Sequence, residues 1–283
     1  MRVVIGIDVG GSTTKICGIE QGSGKLISPQ LVRADDPITS VFGAFGKFTA
    51  ENGLALSDID RVMITGVGSS FVEGKLYGLP SYLVPEFTAV ALGGLYLSSL
   101  EKALVVSMGT GTAVVYAQKG KAAEYMGGTG VGGGTLMGLS RLLLKLDGIE
   151  HLSALAKDGD LHKIDLRIGD ITAKDVLSVS KELTAANFGK LSDLADKNDI
   201  ALGLLNMVYE TVGMIAIFAA RSKDTKDIVL TGNLSNLPYA AEIFPTLSEM
   251  FGVNFIIPEN SPFSTVIGTA LCANEKAFSD SLS

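Results

Sequence analysis

One acid, a pair of glycines and a lysine give the start of this chain its chemical potential. In VIGIDVGGSTTK, residues 4–15, an apolar run carries Asp8 into a turn made by Gly10 and Gly11; Ser12, Thr13 and Thr14 follow, then Lys15. Glycine lets backbone N–H groups approach an anion without side-chain obstruction, so Gly10, Gly11, Ser12, Thr13 and Lys15 form a candidate phosphate cradle. A carboxylate at a strand end suits Mg²⁺, which keeps several waters and takes one or two carboxylates, and Asp8 is the candidate metal ligand. The same residues also satisfy an ordinary hairpin with a Gly-Gly turn. The segment matches neither GxxxxGK[ST] nor GxGxxG opening a helix.

A second strand–turn–strand pattern, LVVSMGTGTAVVYA, supplies Ser107, Gly109, Thr110, Gly111 and Thr112 but no acid. One such hairpin handling metal and transferred phosphate fits a second that cradles phosphates through its amides. Residues 127–135 follow, GGTGVGGGT, just before the helix-like LMGLSRLLLKL. A glycine-rich turn opening a helix offers free N–H groups and the positive dipole end to an anion, which makes Gly128, Gly130, Gly132, Gly133 and Gly134 candidates for nucleotide binding. Later, IVLTGN ends a strand at Gly232 and Asn233, a candidate wall for a nucleoside, and STVIGTA begins a last helix with a Ser cap and small residues suited to close packing.

The elements that must hold these loops are legible as alternating patterns. Strands are expected at 3–8, 14–19, 26–32 and 60–66, with a helix at about 38–52, and again at 103–107, 112–117, 227–231 and 253–257, with helices between 135 and 283. Strands alternating with helices, plus two hairpins at corresponding places, predict an α/β protein with mixed sheets. The two halves echo each other, as an internal duplication facing itself across a cleft would. The expected domains are 1–100 with the first hairpin, and 101–283 with the second hairpin and the glycine-rich loop.

Composition narrows the function classes. The chain has 283 residues, 47% hydrophobic and 19% charged, which excludes a disordered protein. A net charge of −7 without a Lys/Arg block leaves no footprint for nucleic acid. Cys17 and Cys272 lie far apart in apolar runs, the usage of a reducing compartment, and are expected to be buried; His151 and His162 are expected on a polar surface. No signal peptide is read at the start, so a cytoplasmic location is expected. Residues 200–220 are long and apolar enough to span a bilayer, but Asn206 and Glu210 near the middle favour a buried helix shared with a second subunit over a membrane span.

In that order, the Asp–Gly-Gly hairpin, the GTGT hairpin, and the TGN and IGTA elements resemble the sugar kinase, heat-shock ATPase and actin superfamily. Within it the chain resembles type II pantothenate kinases, through IGIDVGGSTTK (5–15), PEFTAVALGGL (85–95), SMGTGTAVVY (107–116), MGGTGVGGGTLMGLSRLL (126–143), LTAANFGK (183–190) and VIGTALCA (266–273). The resemblance implies two duplicated actin-like, ribonuclease H-like domains around a nucleotide cleft, ATP and Mg²⁺ as cofactors, a small-molecule acceptor and a homodimer. It implies phosphorylation of the primary hydroxyl of pantothenate, the first step toward coenzyme A. Glu86 matches the catalytic carboxylate that accepts the hydroxyl proton; from composition alone it reads as a helix N-terminal acid after Pro85. Glu73, in FVEGK, matches no motif and is expected on the surface. Thr110, Tyr125, Ala186 and Asn187 are the implied substrate contacts.

The chain departs from the family at one of these. Tyr125 stands where an arginine is expected two residues before the 127–134 loop, and a phenol supplies no bidentate cation. Either Lys15, Arg141, Arg167 or Arg221 takes its place, or the acceptor is pantetheine or another hydroxylated amide. Two further alternatives are a catalytically weak nucleotide-binding relative and an ATPase activator of a 2-hydroxyacyl-CoA dehydratase, which IGIDVGGSTTK and ITGVGSSF also resemble. Such an activator would need cysteine ligands for a shared iron–sulfur cluster.

Overall fold

A computed structural model describes residues 2–10, 13–33, 36–71, 74–172 and 180–274. Gly11, Ser12 and Glu73 therefore lie outside the described residues.

The first lobe opens with β1 (Val3–Val9), whose β-branched residues are all buried, turns into β2 (Thr14–Glu20) and continues into β3 (Leu26–Val32). Helix α1 (Pro37–Glu51) starts where Asp36 accepts the Thr39 N–H at 2.6 Å and Pro37 presets the first turn. Then come β4 (Ile59–Thr65), β5 (Ser81–Leu83) and α2 (Glu86–Ser98). The second lobe runs through β6 (Lys102–Met108), β7 (Thr112–Gln118), β8 (Glu124–Thr129), α3 (Gly133–Leu144) and α4 (Ile149–Ala156). A small excursion holds β9 (Leu166–Arg167), α5 (Ile168–Ile171) and β10 (Thr184–Ala186). The chain closes with α6 (Lys197–Ser222), β11 (Asp227–Thr231), α7 (Ala240–Phe251), β12 (Asn254–Ile256) and α8 (Ser264–Leu271).

Both five-stranded sheets are mixed and follow one plan. The first is ordered β3-β2-β1-β4-β5 and the second β8-β7-β6-β11-β12, each with an antiparallel meander on one side and two parallel strands on the other. The duplication expected from the paired hairpins is thus carried by the whole topology.

Sequence pattern alone did not reveal β5 or β8. Gly127, Gly128 and Thr129, read above as part of a loop, belong to β8, where Gly128 pairs with Ala113 and Thr129 with Thr112. The free edge of β7 recruits them despite glycine's poor strand preference, and the ladder shifts register opposite Val114/Val115, where Gly127 has φ +121°.

Between the sheets lies the α2–α8 pair: α8 covers β1, β2 and β4, and α2 covers β6, β7 and β11. The end of the chain thus returns to the first sheet, where Val266, Ile267 and Ala270 share a core with Val4, Cys17 and Met63. The two helices touch backbone to backbone. A Cβ on Gly268 would stand 1.8 Å from the Ala89 carbonyl oxygen, and one on Gly93 would stand 1.9 Å from that of Ser264. Gly268→Ala is therefore expected to lower unfolding free energy by about 2–3 kcal/mol, as overpacking between backbones does. Urea denaturation reads this directly, and an unchanged midpoint would contradict the contact.

Helix α6 spans 26 residues and passes through the core of the second lobe, burying Leu204, Leu205, Val208, Tyr209, Val212 and Ile217. It is long and apolar enough to cross a membrane, yet 61% of its most apolar stretch is buried within the protein. Cys17 and Cys272 are buried, and His151 and His162 are exposed.

Candidate active site

Asp8 and Lys15 face each other across the first hairpin, paired in register on β1 and β2. Lys15 is buried, and its ammonium donates a 2.5 Å hydrogen bond to the Pro262 carbonyl in the turn before α8. Burial lowers the Lys15 pKa, an effect the Asp8 charge opposes. Burial also raises the Asp8 carboxyl, to about 6; the Lys15 cation pulls it down and the Glu86 carboxylate pushes it further up. Glu86 is therefore close enough to act on Asp8 electrostatically, although 78 positions separate them.

Glu86 is the first residue of α2, following Pro85 as N-cap, and its side chain is exposed. Against the same acid packs Gly66, at φ +91°, where a Cβ would lie 2.6 Å from Asp8 Oδ1 and 2.5 Å from the Val9 carbonyl oxygen. The Thr-Gly that ends the 60–66 strand was the available signal for Gly66, but nothing in its spacing tied it to Asp8.

Three candidate segments converge at the end of the second sheet. The Gly109 N–H closes the second hairpin onto the Gly111 carbonyl at 2.9 Å. Thr112 Oγ1 donates to the Val131 carbonyl at 2.9 Å, and Cβ atoms on Gly132 and Gly133 would lie 2.8 Å and 2.9 Å from atoms of residues 109–111. Gly128 sits over Thr112, Gly134 over Thr110, and Gly130 lies between Gly128 and Gly132. Gly232, at φ +87°, lies against Met108 and donates to the Ser261 carbonyl at 3.0 Å, which places exposed Asn233 at the same corner.

Two details differ from expectation. The Gly133 and Gly134 N–H groups, expected to be free for an anion, donate instead to the Gly109 and Thr110 carbonyls at 2.9 Å and 2.8 Å. The glycines thereby lace the loop onto the hairpin, because only residues without a Cβ allow backbones this close. Lys15, expected at phosphate, is held by Pro262. In the first turn, Gly10 donates to the Thr13 carbonyl at 2.9 Å.

Ala186 and Asn187 are not brought to this corner within one chain. Ala186 ends β10, and Asn187 Nδ2 donates to Glu210 on α6 at 3.1 Å. Glu210, with Thr184, Asn206 and Tyr239, lines a separate cavity of about 500 Å³ between α4, α6 and α7, in which neither Asp8, Glu86 nor the glycine loops take part. Tyr125 projects from β8, 51% exposed, and stacks on Phe87 with ring centroids 4.1 Å apart and planes 10° from parallel. Phe87 went unnoticed in the sequence because nothing marks an aromatic as paired across lobes.

Comparison with known proteins agrees with this arrangement. The profile of the Fumble family matches residues 99–250. A type II pantothenate kinase of Oceanobacillus iheyensis is 33% identical over 276 residues, covering 94% of this chain and 98% of the relative. The type II pantothenate kinase of Staphylococcus aureus strain COL is 28% identical over 275 residues, covering 93% and 97%. Among solved structures, the activator of 2-hydroxyisocaproyl-CoA dehydratase from Clostridium difficile, with bound ADPNP, superposes with TM-score 0.67 at 16% identity over 99% of this chain and 97% of that one. A ROK hexokinase from Thermus thermophilus superposes with TM-score 0.55 at 14% identity, covering 95% and 97%. These two show a shared fold of the sugar kinase and actin-like ATPase type. With its paired hairpins, its laced glycine loop and full-length similarity to such relatives, the chain belongs to the type II pantothenate kinase family.

Proposed function

We propose that this protein transfers the γ-phosphoryl group of ATP to the primary hydroxyl of pantothenate, the first step toward coenzyme A. The observation that carries the proposal is the pair of hairpins, one carrying Asp8 opposite Lys15 and the other laced to the glycine-rich loop, in a chain of this family. The names of its relatives supply the acceptor.

In this proposal, Glu86 accepts the proton of the acceptor hydroxyl as its oxygen attacks the γ-phosphorus, and the bond from that phosphorus to the β–γ bridging oxygen breaks to release ADP. Gly10 and Thr13 border the transferred phosphate on the first hairpin. Gly109, Thr110, Gly111, Thr112 and the loop from Gly128 to Gly134 border the phosphates on the second, and Gly232 with Asn233 lines the nucleoside. Lys15 holds the first hairpin to the turn before α8 and places positive charge near Asp8.

The site fits a magnesium ion. The Asp8 carboxylate, destabilised by burial, would hold the ion, with water and phosphate filling the remaining positions. When bound there, the ion neutralises phosphate charge. The proposal extends to a cytoplasmic homodimer pairing along α6, where Phe218 is 59% exposed.

The test is ADP formation with ATP and Mg²⁺ across pantothenate, pantetheine, several sugars and no acceptor. Turnover that depends on pantothenate is expected. Turnover with a sugar alone would move the substrate, and equal turnover without acceptor would contradict the kinase assignment.

A further inference from the structure

We propose that Ser235 and Ser261 are positioning residues for the phosphoryl transfer. They fix the turn whose Pro262 carbonyl holds the Lys15 ammonium, and so tie the nucleoside corner of the second lobe to the first hairpin. The inference rests on the kinase assignment above and deepens it by naming two residues that act through Lys15.

The turn is stiff and is gripped from both lobes. It runs Asn260-Ser261-Pro262-Phe263, with Asn260 in the left-handed region at φ +61° and its carbonyl accepting the Phe263 N–H at 2.8 Å. Asparagine tolerates that conformation better than most residues, and the Pro262 ring fixes its own φ. On the second-lobe side, the Ser261 carbonyl accepts the Gly232 N–H at 3.0 Å, and the Ser261 and Ser235 hydroxyls share a hydrogen bond of 2.9 Å. Ser235 Oγ also donates to the Gly232 carbonyl at 2.7 Å, so the N–H and the carbonyl of Gly232 are both engaged. One residue on, the Pro262 carbonyl accepts the Lys15 ammonium of the first lobe at 2.5 Å. Two positions along β2, Cys17 Sγ donates to the Val266 carbonyl at 3.4 Å, which keeps the strand against the start of α8.

Burial gives these contacts their weight. Ser235 and Ser261 are 2% and 1% exposed, and Lys15 is 8% exposed. Removing one of two buried, paired hydroxyls leaves the other unsatisfied, which the turn relieves by shifting. Neither serine lies on a hairpin or in the glycine loop, so their effect reaches the first hairpin through the turn. Ser261 and Pro262 are adjacent, and a shift at one anchor passes directly to the other. A displaced Pro262 carbonyl moves the ammonium on the residue paired with Asp8. Phosphoryl transfer depends mainly on alignment and charge placement, so the loss appears in turnover.

The experiment is a double-mutant cycle on variants shown to be folded by thermal melt. It measures kcat with saturating ATP, Mg²⁺ and pantothenate for the wild type, Ser261→Ala, Ser235→Ala, Lys15→Met, and each serine change combined with Lys15→Met. Each serine change alone is expected to lower kcat by about five- to twentyfold while KM for pantothenate stays within about twofold. In the Lys15→Met background the same change is expected to cost less than about twofold, because no ammonium remains to be placed. Equal fold losses in both backgrounds, or serine variants with wild-type kcat, overturn the positioning role and leave the kinase assignment standing. Amide hydrogen exchange decides the matter where Lys15→Met has no measurable turnover. Ser261→Ala is then expected to speed exchange across β2 (Thr14–Glu20) in the first lobe, and unchanged exchange there overturns the proposal. A wild type that binds ATP but phosphorylates no acceptor overturns the kinase assignment, and the role in transfer falls with it.

Discussion

Changing Glu86 to Gln is expected to lower kcat for pantothenate phosphorylation by about 10²- to 10⁴-fold, the usual contribution of a positioned proton acceptor. The amide keeps the size and hydrogen-bonding reach of the side chain but takes no proton from the attacking hydroxyl, so KM for ATP should move little. The competing role for this residue is structural, because an acid in the first turn of α2 favourably meets the helix dipole. That role predicts the opposite pattern: kcat intact and a loss of about 0.3–1 kcal/mol in stability. Steady-state kinetics beside a thermal melt separates them, and a kcat within twofold of wild type would remove Glu86 from the chemistry.

Asp8→Asn is expected to abolish turnover and yet stabilise the metal-free protein at neutral pH. The folded carboxyl holds its proton up to about pH 6 because of burial, against 3.8 for the reference group. Between those values the folded state binds more protons than the unfolded one, so the Asp8 contribution to stability is fully present below about pH 4, falls as pH rises, and is gone above about 6. The ionised form then costs about 3 kcal/mol at pH 7, a shift of roughly two pKa units at about 1.4 kcal/mol each. Removing the charge should recover much of that, while Mg²⁺ should raise the melting temperature of the wild type but not of the variant. Melts at pH 5 and pH 7.5 check the sign: the gain from Asn should be larger at pH 7.5. An equal gain from Asn at both pH values would contradict the raised Asp8 pKa.

What could be read from the sequence was local. The apolar runs through Ile7 and Val106, with glycine turns behind them, placed both hairpins, because strand and turn preferences there agree with the final pairing. The matching composition of the two hairpins was enough to foresee a duplicated α/β fold. The remaining features depend on contacts between distant segments. β8 forms because β7 has a free edge, which no propensity of Gly127 or Gly128 announces. The destinations of the Gly133 and Gly134 N–H groups follow from how closely the loop folds back on residues 109–110. The capture of Lys15 by Pro262 joins positions 247 apart, and the stacking of Phe87 on Tyr125 depends on how the two lobes meet. Asn187 carries a family motif, but its partner Glu210 is set by the course of α6.

The central claim is that phosphate is transferred to a hydroxyl rather than released to water. Phosphorus NMR on protein incubated with ATP, Mg²⁺ and pantothenate tests it most directly. A phosphomonoester signal coupled to the protons of a primary CH₂–O group, growing in step with ADP and absent with Glu86→Gln, is the predicted result. ADP accompanied only by inorganic phosphate would contradict it and would make the chain an ATPase on a kinase fold.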